Sequence, residues 1–471
     1  MHARKQILIA VAMILLTSLA CSFPTTSSGP TPEDISATAA AAVSATLTAM
    51  APVEVPTAIP DVATPVDTPE PETETEPTAS GKSKPDQLRL AIVDSDHNLH
   101  TWQDGGSLNL IVNTGDVSEA VLSPDGEWIV YKRTSTDGID ISLWAIRFDG
   151  TQDKSLVSHA DFMAMPPHPD ISDPSTILTV APYMLEFIPG THTLVFNTYP
   201  QFEGPGFFDN KDLWYVNVET AERRSFLSPG QAGRFYFSPD GSQMALVTPD
   251  HIDLLNTDGS NRRYSVLSYD FVLTYSEYAF HAVPVWSADG SYLRVSIPPR
   301  DPLGDPTAPA KIYHLPTDGS YATLLTSVMV APLQNAILAP DANHFAFEDV
   351  VGDPADNLYA LKFSDLSGST PIEFTSGSLG FDSWAPDSSH FLFFKWDPRT
   401  ALIGQVGVAG VIALDADPTL NFSWVSANSF LFITQSGTNY QLRMGTLSTA
   451  SVEIANLGSG LGTPAYDFVS P

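Results

Sequence analysis

From residue 117 onward the chain repeats one pattern of apolar and polar positions. A short apolar run leads into a tight polar cluster, and a second apolar run with rough alternation follows. The clearest copies are "AVLSPDGEWIVYKR", "FYFSPDGSQMALVT" and "PVWSADGSYLRVSI". "AILAPDANHFAFED" and "DSWAPDSSHFLFFK" are weaker, and "LEFIPGTHTLVFNT" and "FSWVSANSFLFITQ" are degenerate. The equivalent positions are Pro124, Pro189, Pro239, Ala288, Pro340, Pro386 and Ser426, 40 to 65 residues apart. Each polar cluster reads as a turn. Pro presets φ for the second turn position, Asp suits the third, and Gly tolerates the left-handed conformation that follows. Every copy therefore predicts a hairpin.

Two more strand-like runs follow each hairpin. After "SPDGSQMALVT" come "HIDLLNTDG" and "NRRYSVLS"; after "SPDGEWIVYKR" come "ISLWAIRFDG" and "KSLVS". Four strands at this period predict blades of an all-β propeller, strands a to d running from axis to rim. The termini set the count. "LRLAIVDSDHNLHTWQDGGSLNLIVNTG" reads as strands Leu88 to Val93, Asn98 to Gln103 and Leu108 to Asn113, which are b, c and d without an a. "AYDFVSP" at the other end is an a strand without its followers. Together they complete an eighth blade, with residues 465 to 469 expected to pair with 88 to 93. Residues 87 to 471 then divide into eight stretches of about 48. Seven blades is the alternative.

The repeat "SPDG", followed by strand, strand and "DG", resembles that of TolB-like propellers. The resemblance implies the fold over residues 88 to 471 and says little about activity, because such repeats serve scaffolds, ligand binders and enzyme-attached gates alike.

Ahead of the repeats the pattern changes. Arg4 and Lys5 precede an apolar run from Ile7 to Ala20, the form of a signal peptide, ending at Cys21. Small residues before this Cys resemble a bacterial lipobox, which implies lipidation of Cys21 within a leader of residues 1–21. Residues 22–86 read as a stalk. Between Ala51 and Ser80 lie seven Pro and seven acids and no Lys or Arg, a composition that cannot bury enough apolar surface to fold. The expected location is extracytoplasmic, anchored to a bacterial membrane.

Charge narrows the partners. There are 54 acids against 22 Lys and Arg, a formal net charge of −32. A polyanion repels phosphate backbones and anionic membrane surfaces, so we expect no nucleic-acid partner and membrane contact only through the lipid. Cys21 is the single cysteine, so no intramolecular disulfide forms. No CxxC, HExxH or GxSxG occurs. Asp94, Asp96 and Asn98 begin like a calcium loop, but Leu99 follows where Gly is needed, and they fall at a hairpin turn. His159 and His168 with Asp161 and Asp170 match no metal-binding spacing. We expect a monomer without metal or cofactor.

Five long segments are expected on one face, where b–c and d–a connections meet: 159–175, 198–212, 269–280, 298–311 and 349–357. They carry Phe162 and the candidate ligand-binding residues Tyr199, Phe202, Phe207, Phe208, Tyr275 and Tyr278, together with Asp161, Asp170, Asp173, Asp209, Asp301 and Asp305. Aromatic side chains on exposed loops resemble a recognition surface for peptides or sugars. The first reading is therefore a non-catalytic surface propeller that binds a protein or glycan through this face. The alternatives are a propeller-class hydrolase or lyase acting on glycans through carboxylates near the channel, and a cell-envelope scaffold. An enzyme predicts carboxylates converging at the axis with a perturbed pKa; a binder predicts an exposed aromatic patch.

Overall fold

The computed structural model describes residues 84–204, 208–367 and 369–471. Cys21, the stalk as far as residue 83, and Phe207 lie outside the described residues. Among the described residues, eight four-stranded antiparallel sheets form the propeller. Blade 1 takes Arg89–Val93, Leu99–Gln103 and Asn109–Val112 as b, c and d, and Ala465–Val469 as a. The a strands of blades 2 to 8 are Val117–Leu122, Ile177–Phe187, Arg234–Phe237, Val285–Trp286, Ile337–Leu338, Leu379–Trp384 and Leu420–Trp424.

The ring closes as the termini predicted. Arg89 to Val93 pair antiparallel with Val469 to Ala465, in register from Arg89↔Val469 to Val93↔Ala465. The closing strand also serves both neighbours. Tyr466 and Phe468 pack with Leu431 and Ile433 of blade 8, while Val469 packs with the core between blades 1 and 2. The Leu122 N–H of blade 2 donates to Asp467 Oδ2 at 2.7 Å. Successive side chains of a strand point to opposite faces, so each blade is buried on both sides. In blade 1, Leu90 and Ile92 face blade 8, and Ala91 and Val93 face blade 2. Apolar clusters of this kind occupy every one of the eight junctions between consecutive blades.

Side chains set the repeated turn. In blade 2, Ser123 Oγ donates to Asp125 Oδ1 at 2.7 Å and accepts from Trp128 N at 2.9 Å, and Gly126 takes φ +67°. Ser238 with Asp240 and Ser287 with Asp289 repeat this. Blades 6 and 7 have Ala339 and Ala385 in place of the serine, and a histidine takes over. His344 Nδ1 meets Asp341 Oδ2 at 2.6 Å, and His390 Nδ1 meets Asp387 Oδ2 at 2.7 Å. Ala342 and Ser388 occupy the left-handed position there at φ +57° and +56°, a strained choice that the Asp–His contact helps to hold.

Blade 3 departs from the pattern. Its a and b strands, Ile177–Phe187 and Thr193–Phe202, run far longer than the c strand, Leu213–Asn217, which pairs only with Thr193 to Phe196. The remainder is a two-stranded ribbon extending toward the long-loop face. It tolerates Pro182 and Pro200 because its outer edge needs no further hydrogen bonds. No helix among the described residues is long and apolar enough to cross a membrane.

Candidate functional site

The b–c and d–a connections end on one face, and two long-loop regions dominate it. The first joins residues 158–176, between blades 2 and 3, to residues 208–212 of blade 3. Ser158 caps a short helix, His159–Met163, in a capping box with Asp161. Arg223 adds an ion pair to Asp161 at 3.0 Å. These hydrogen bonds, that from Arg223 foremost, hold the Asp161 carboxyl well below the usual range. Phe162 is fully buried, edge-on to Phe196 with centroids 6.0 Å apart. It is a core residue, contrary to the loop exposure expected of it.

The blade 3 aromatics also turn inward. Tyr199 and Phe202 lie on the ribbon strand, not on a loop, and both are half-buried. Tyr199 meets Tyr183 edge-on, and its hydroxyl accepts from Gln201 Nε2 at 2.9 Å. Phe208 packs edge-on against His168 with centroids 5.2 Å apart. His168 is itself buried, and its N–H donates to Asn210 Oδ1 at 3.1 Å. Asp212 closes the region: its carboxylate accepts from Thr198 N, Thr198 Oγ1 and Trp214 Nε1 at 2.8, 2.6 and 2.8 Å. Burial nevertheless pushes its pKa up to about 6.

The second region joins residues 269–284, between blades 4 and 5, to residues 298–309 of blade 5. Val272 and Ala282 are buried and pin the loop at both ends. Between them Phe271, Leu273, Tyr275 and Tyr278 are exposed, both tyrosines at 57%. The Leu273 N–H donates to Arg300 O at 2.9 Å, and the Tyr275 hydroxyl donates to Asp301. Asp301 Oδ1 also accepts from Gly304 N at 2.7 Å. Tyr275 holds φ +57°, a left-handed conformation unusual for an aromatic residue and of the kind that collects at binding sites. The loop surrounds an open concavity of about 450 Å³ lined by Phe271, Leu273, Tyr275 and Tyr278. A second, of about 540 Å³, is lined by Tyr269, Pro298, Arg300, Pro309 and Tyr313. Of the sequence candidates among the described residues, only Tyr275 and Tyr278 are brought together on an exposed surface; Phe271 and Leu273 were missed because neither stands out in composition.

The inner strands carry acids as well. Glu119, Glu186, Asp382 and Asp467 lie on the a strands of blades 2, 3, 7 and 1. Burial pushes Asp467 up to about 6. Enclosure pushes Glu186 up to about 7, although its surface is exposed, so water offsets part of that cost. Glu186 directly follows a bulge at Met184 and Leu185. Asp94, at a b–c turn, accepts from the N–H groups of Asp96 and Asn98 at 2.9 and 2.8 Å, as a turn-former does. His159 and His168 each approach an aspartate, Asp140 and Asp170, at 3.6 Å.

No family model matches the chain, and no curated protein does. Solved structures are similar to it, TolB proteins among them. Putative TolB from Agrobacterium tumefaciens shares 14% identity over 55% of this chain and 97% of that one, with a TM-score of 0.34. The propeller domain of the Trilobed protease from Pyrococcus furiosus shares 10% over 74% and 97%, with a TM-score of 0.43. An oligogalacturonate lyase in complex with manganese shares 16% over 67% and 81%, with a TM-score of 0.40. The likeness is one of architecture and assigns no activity to this chain.

Proposed function

We propose that the chain is a non-catalytic, lipid-anchored surface propeller that binds a protein or glycan through its long-loop face, centred on residues 269–284. The observation that supports this is the exposed group Phe271, Leu273, Tyr275 and Tyr278 on a loop pinned at both ends. Aromatic and aliphatic side chains side by side favour a protein over a glycan, which is met by aromatic faces and polar groups. The net charge of −32 favours a partner that presents basic groups. The test is a protein and glycan binding screen on the full chain, repeated with Tyr275→Ala/Tyr278→Ala. Equal binding by that variant removes the reading. Anchoring rests on the sequence around Cys21: Cys21→Ser is expected to leave the membrane fraction, and its retention there refutes the anchor.

A second reading, a glycan-acting enzyme, is favoured by Glu186, an acid enclosed at the axis beside a bulge with a pKa near neutrality. It requires turnover of a glycan from the same screen that Glu186→Gln abolishes; turnover that survives this change excludes the residue.

A further inference from the structure

The opposite face, where the short a–b and c–d turns lie, holds a cluster that the binding reading does not use. Asp125 is fixed by its own turn. Its Oδ1 accepts from Ser123 Oγ at 2.7 Å and Glu127 N at 3.1 Å, which aims Oδ2 at His192 Nε2, 2.8 Å away in the next blade. The other ring nitrogen, Nδ1, meets Glu219 Oε1 at 2.6 Å. The side chains of Asp125 and His192 are 6% and 3% exposed, and Glu127 stands at the solvent rim.

The chemistry of this arrangement asks for a cation. A neutral imidazole that gives its Nδ1 proton to Glu219 presents a lone pair at Nε2 to the lone pairs of Asp125 Oδ2. Two acceptors 2.8 Å apart need a proton or a metal ion between them. Ligating histidines characteristically donate their second N–H to a carboxylate, the role Glu219 fills here. One ligand atom each from Asp125, Glu127 and His192 lies within 4.8 Å of the others. Ligand atoms around one tetrahedral zinc ion at about 2.0–2.2 Å lie about 3.3–3.6 Å apart, so binding parts Asp125 Oδ2 and His192 Nε2 by roughly half an ångström and draws the exposed Glu127 carboxylate in by up to about 1.5 Å. Three carboxylates surround one imidazole. Arg147 lies 2.9 Å from Glu127 Oε2, and Lys154 donates to the Glu219 carbonyl.

We propose that Asp125, Glu127 and His192 bind a divalent transition-metal ion, zinc by its suitability for imidazole and carboxylate ligands, that staples blade 2 to blade 3. The junction has a use for such a staple. Its d–a connection, residues 158–176, is the longest between any two blades and constrains their spacing least. Among the described residues no other junction repeats the set. Where His192 stands, the repeats that follow Asp240, Asp289, Asp341 and Asp387 carry Ser291, Asn343, Ser389 and Asn428.

The test uses the full chain, stripped with a chelator and titrated with zinc, read by metal analysis and thermal melting. One zinc per chain with a raised Tm is expected. Glu127→Gln changes only an exposed side chain, so it is expected to melt like the metal-free parent yet bind that zinc at least 10-fold more weakly. His192→Gln is expected to lose it. A parent that takes up no stoichiometric zinc, or a Glu127→Gln variant that binds it equally, reduces the cluster to an Asp–His–Glu ion network and overturns the proposal.

Discussion

The segments 158–176 and 269–284 are both long d–a connections on the same face, the first with one aromatic and three acidic residues and the second with five aromatic and two acidic residues, and they treat their aromatics differently. In the first, the aromatic side chain is drawn under the loop: Phe162 rides a capped helical turn into the core beside Phe196, and Phe208 covers His168. In the second, Val272 and Ala282 anchor the loop together with Tyr269 and Phe280, which pack against the blade 4–5 core, while Phe271, Tyr275 and Tyr278 are left outside. An aromatic side chain on a long loop is therefore not by itself a mark of recognition. What matters is which residues hold the loop down, because an aromatic that serves as the anchor is not available to a partner.

The largest expected effect follows from Phe162. Its change to alanine removes a fully buried ring from the blade 2–3 core and should cost about 3–5 kcal/mol, measured by denaturant unfolding. Tyr275→Ala should change stability by less than about 0.5 kcal/mol, as exposed substitutions do. Similar losses at the two sites would erase the distinction between the loops.

The next effect is on binding. Tyr275→Ala/Tyr278→Ala should weaken the partner identified in the screen by about 10- to 100-fold, the loss expected of hot-spot aromatics, with the far-UV spectrum and melting unchanged. Phe208→Ala should leave affinity within about 2-fold, since its ring faces His168. The reverse ranking would move the binding surface to blade 3.

A smaller effect concerns the cap. Asp161→Ala removes the capping box and the Arg223 ion pair, and should cost about 1–2 kcal/mol. The cap contributes most because the ion pair is partly exposed to solvent and screened. The loss should appear as faster hydrogen exchange in residues 158–166, with residues 269–284 unaffected.

How much of this was legible in the sequence varies with how local the cause is. The hairpins were, because Ser-Pro-Asp-Gly encodes its own turn hydrogen bonds, and so was the closing strand, because an a strand at one end and b to d at the other have one way to be completed. The placement of Tyr199 and Phe202 was not. Pro200 argues for a loop, and only the length of the facing strand, Ile177–Phe187, converts that stretch into a ribbon. Phe162 was misplaced because the capping box that turns it inward is short and its cover, Phe196, lies in the next blade. His192 was invisible for the same reason. "IPGTHT" looks like a decayed turn, and its partners, Asp125 and Glu219, come from another blade and another turn.

The finest test of the two loop regions is their opposite response to pH. Burial raises the Asp212 carboxyl from its ordinary value of 3.8 to about 6. Between about pH 4 and 6 the folded state therefore holds a proton that the unfolded state has released, and the stabilisation present below pH 4 is lost as pH rises through 6. Asp301 shifts the other way: the hydrogen bonds from the Tyr275 hydroxyl and the Gly304 N–H hold it below 3.8. Its contribution is present above that value and is lost only as the pH falls beneath it. Hydrogen exchange, corrected for intrinsic rates, should show residues 208–214 losing protection from pH 4.5 to 7, while 269–305 gain it, because burial pushes the His281 imidazole down to about 4 and its neutral form favours the folded state as pH rises. As the pH falls beneath the ordinary carboxylate value of 3.8, the second region should loosen. Replacing Asp212 with Asn should flatten the first response without touching the second, since an amide has no proton to lose in this range. Parallel responses in the two regions would mean that one global transition governs both loops, and that the anchoring difference between them has no energetic consequence.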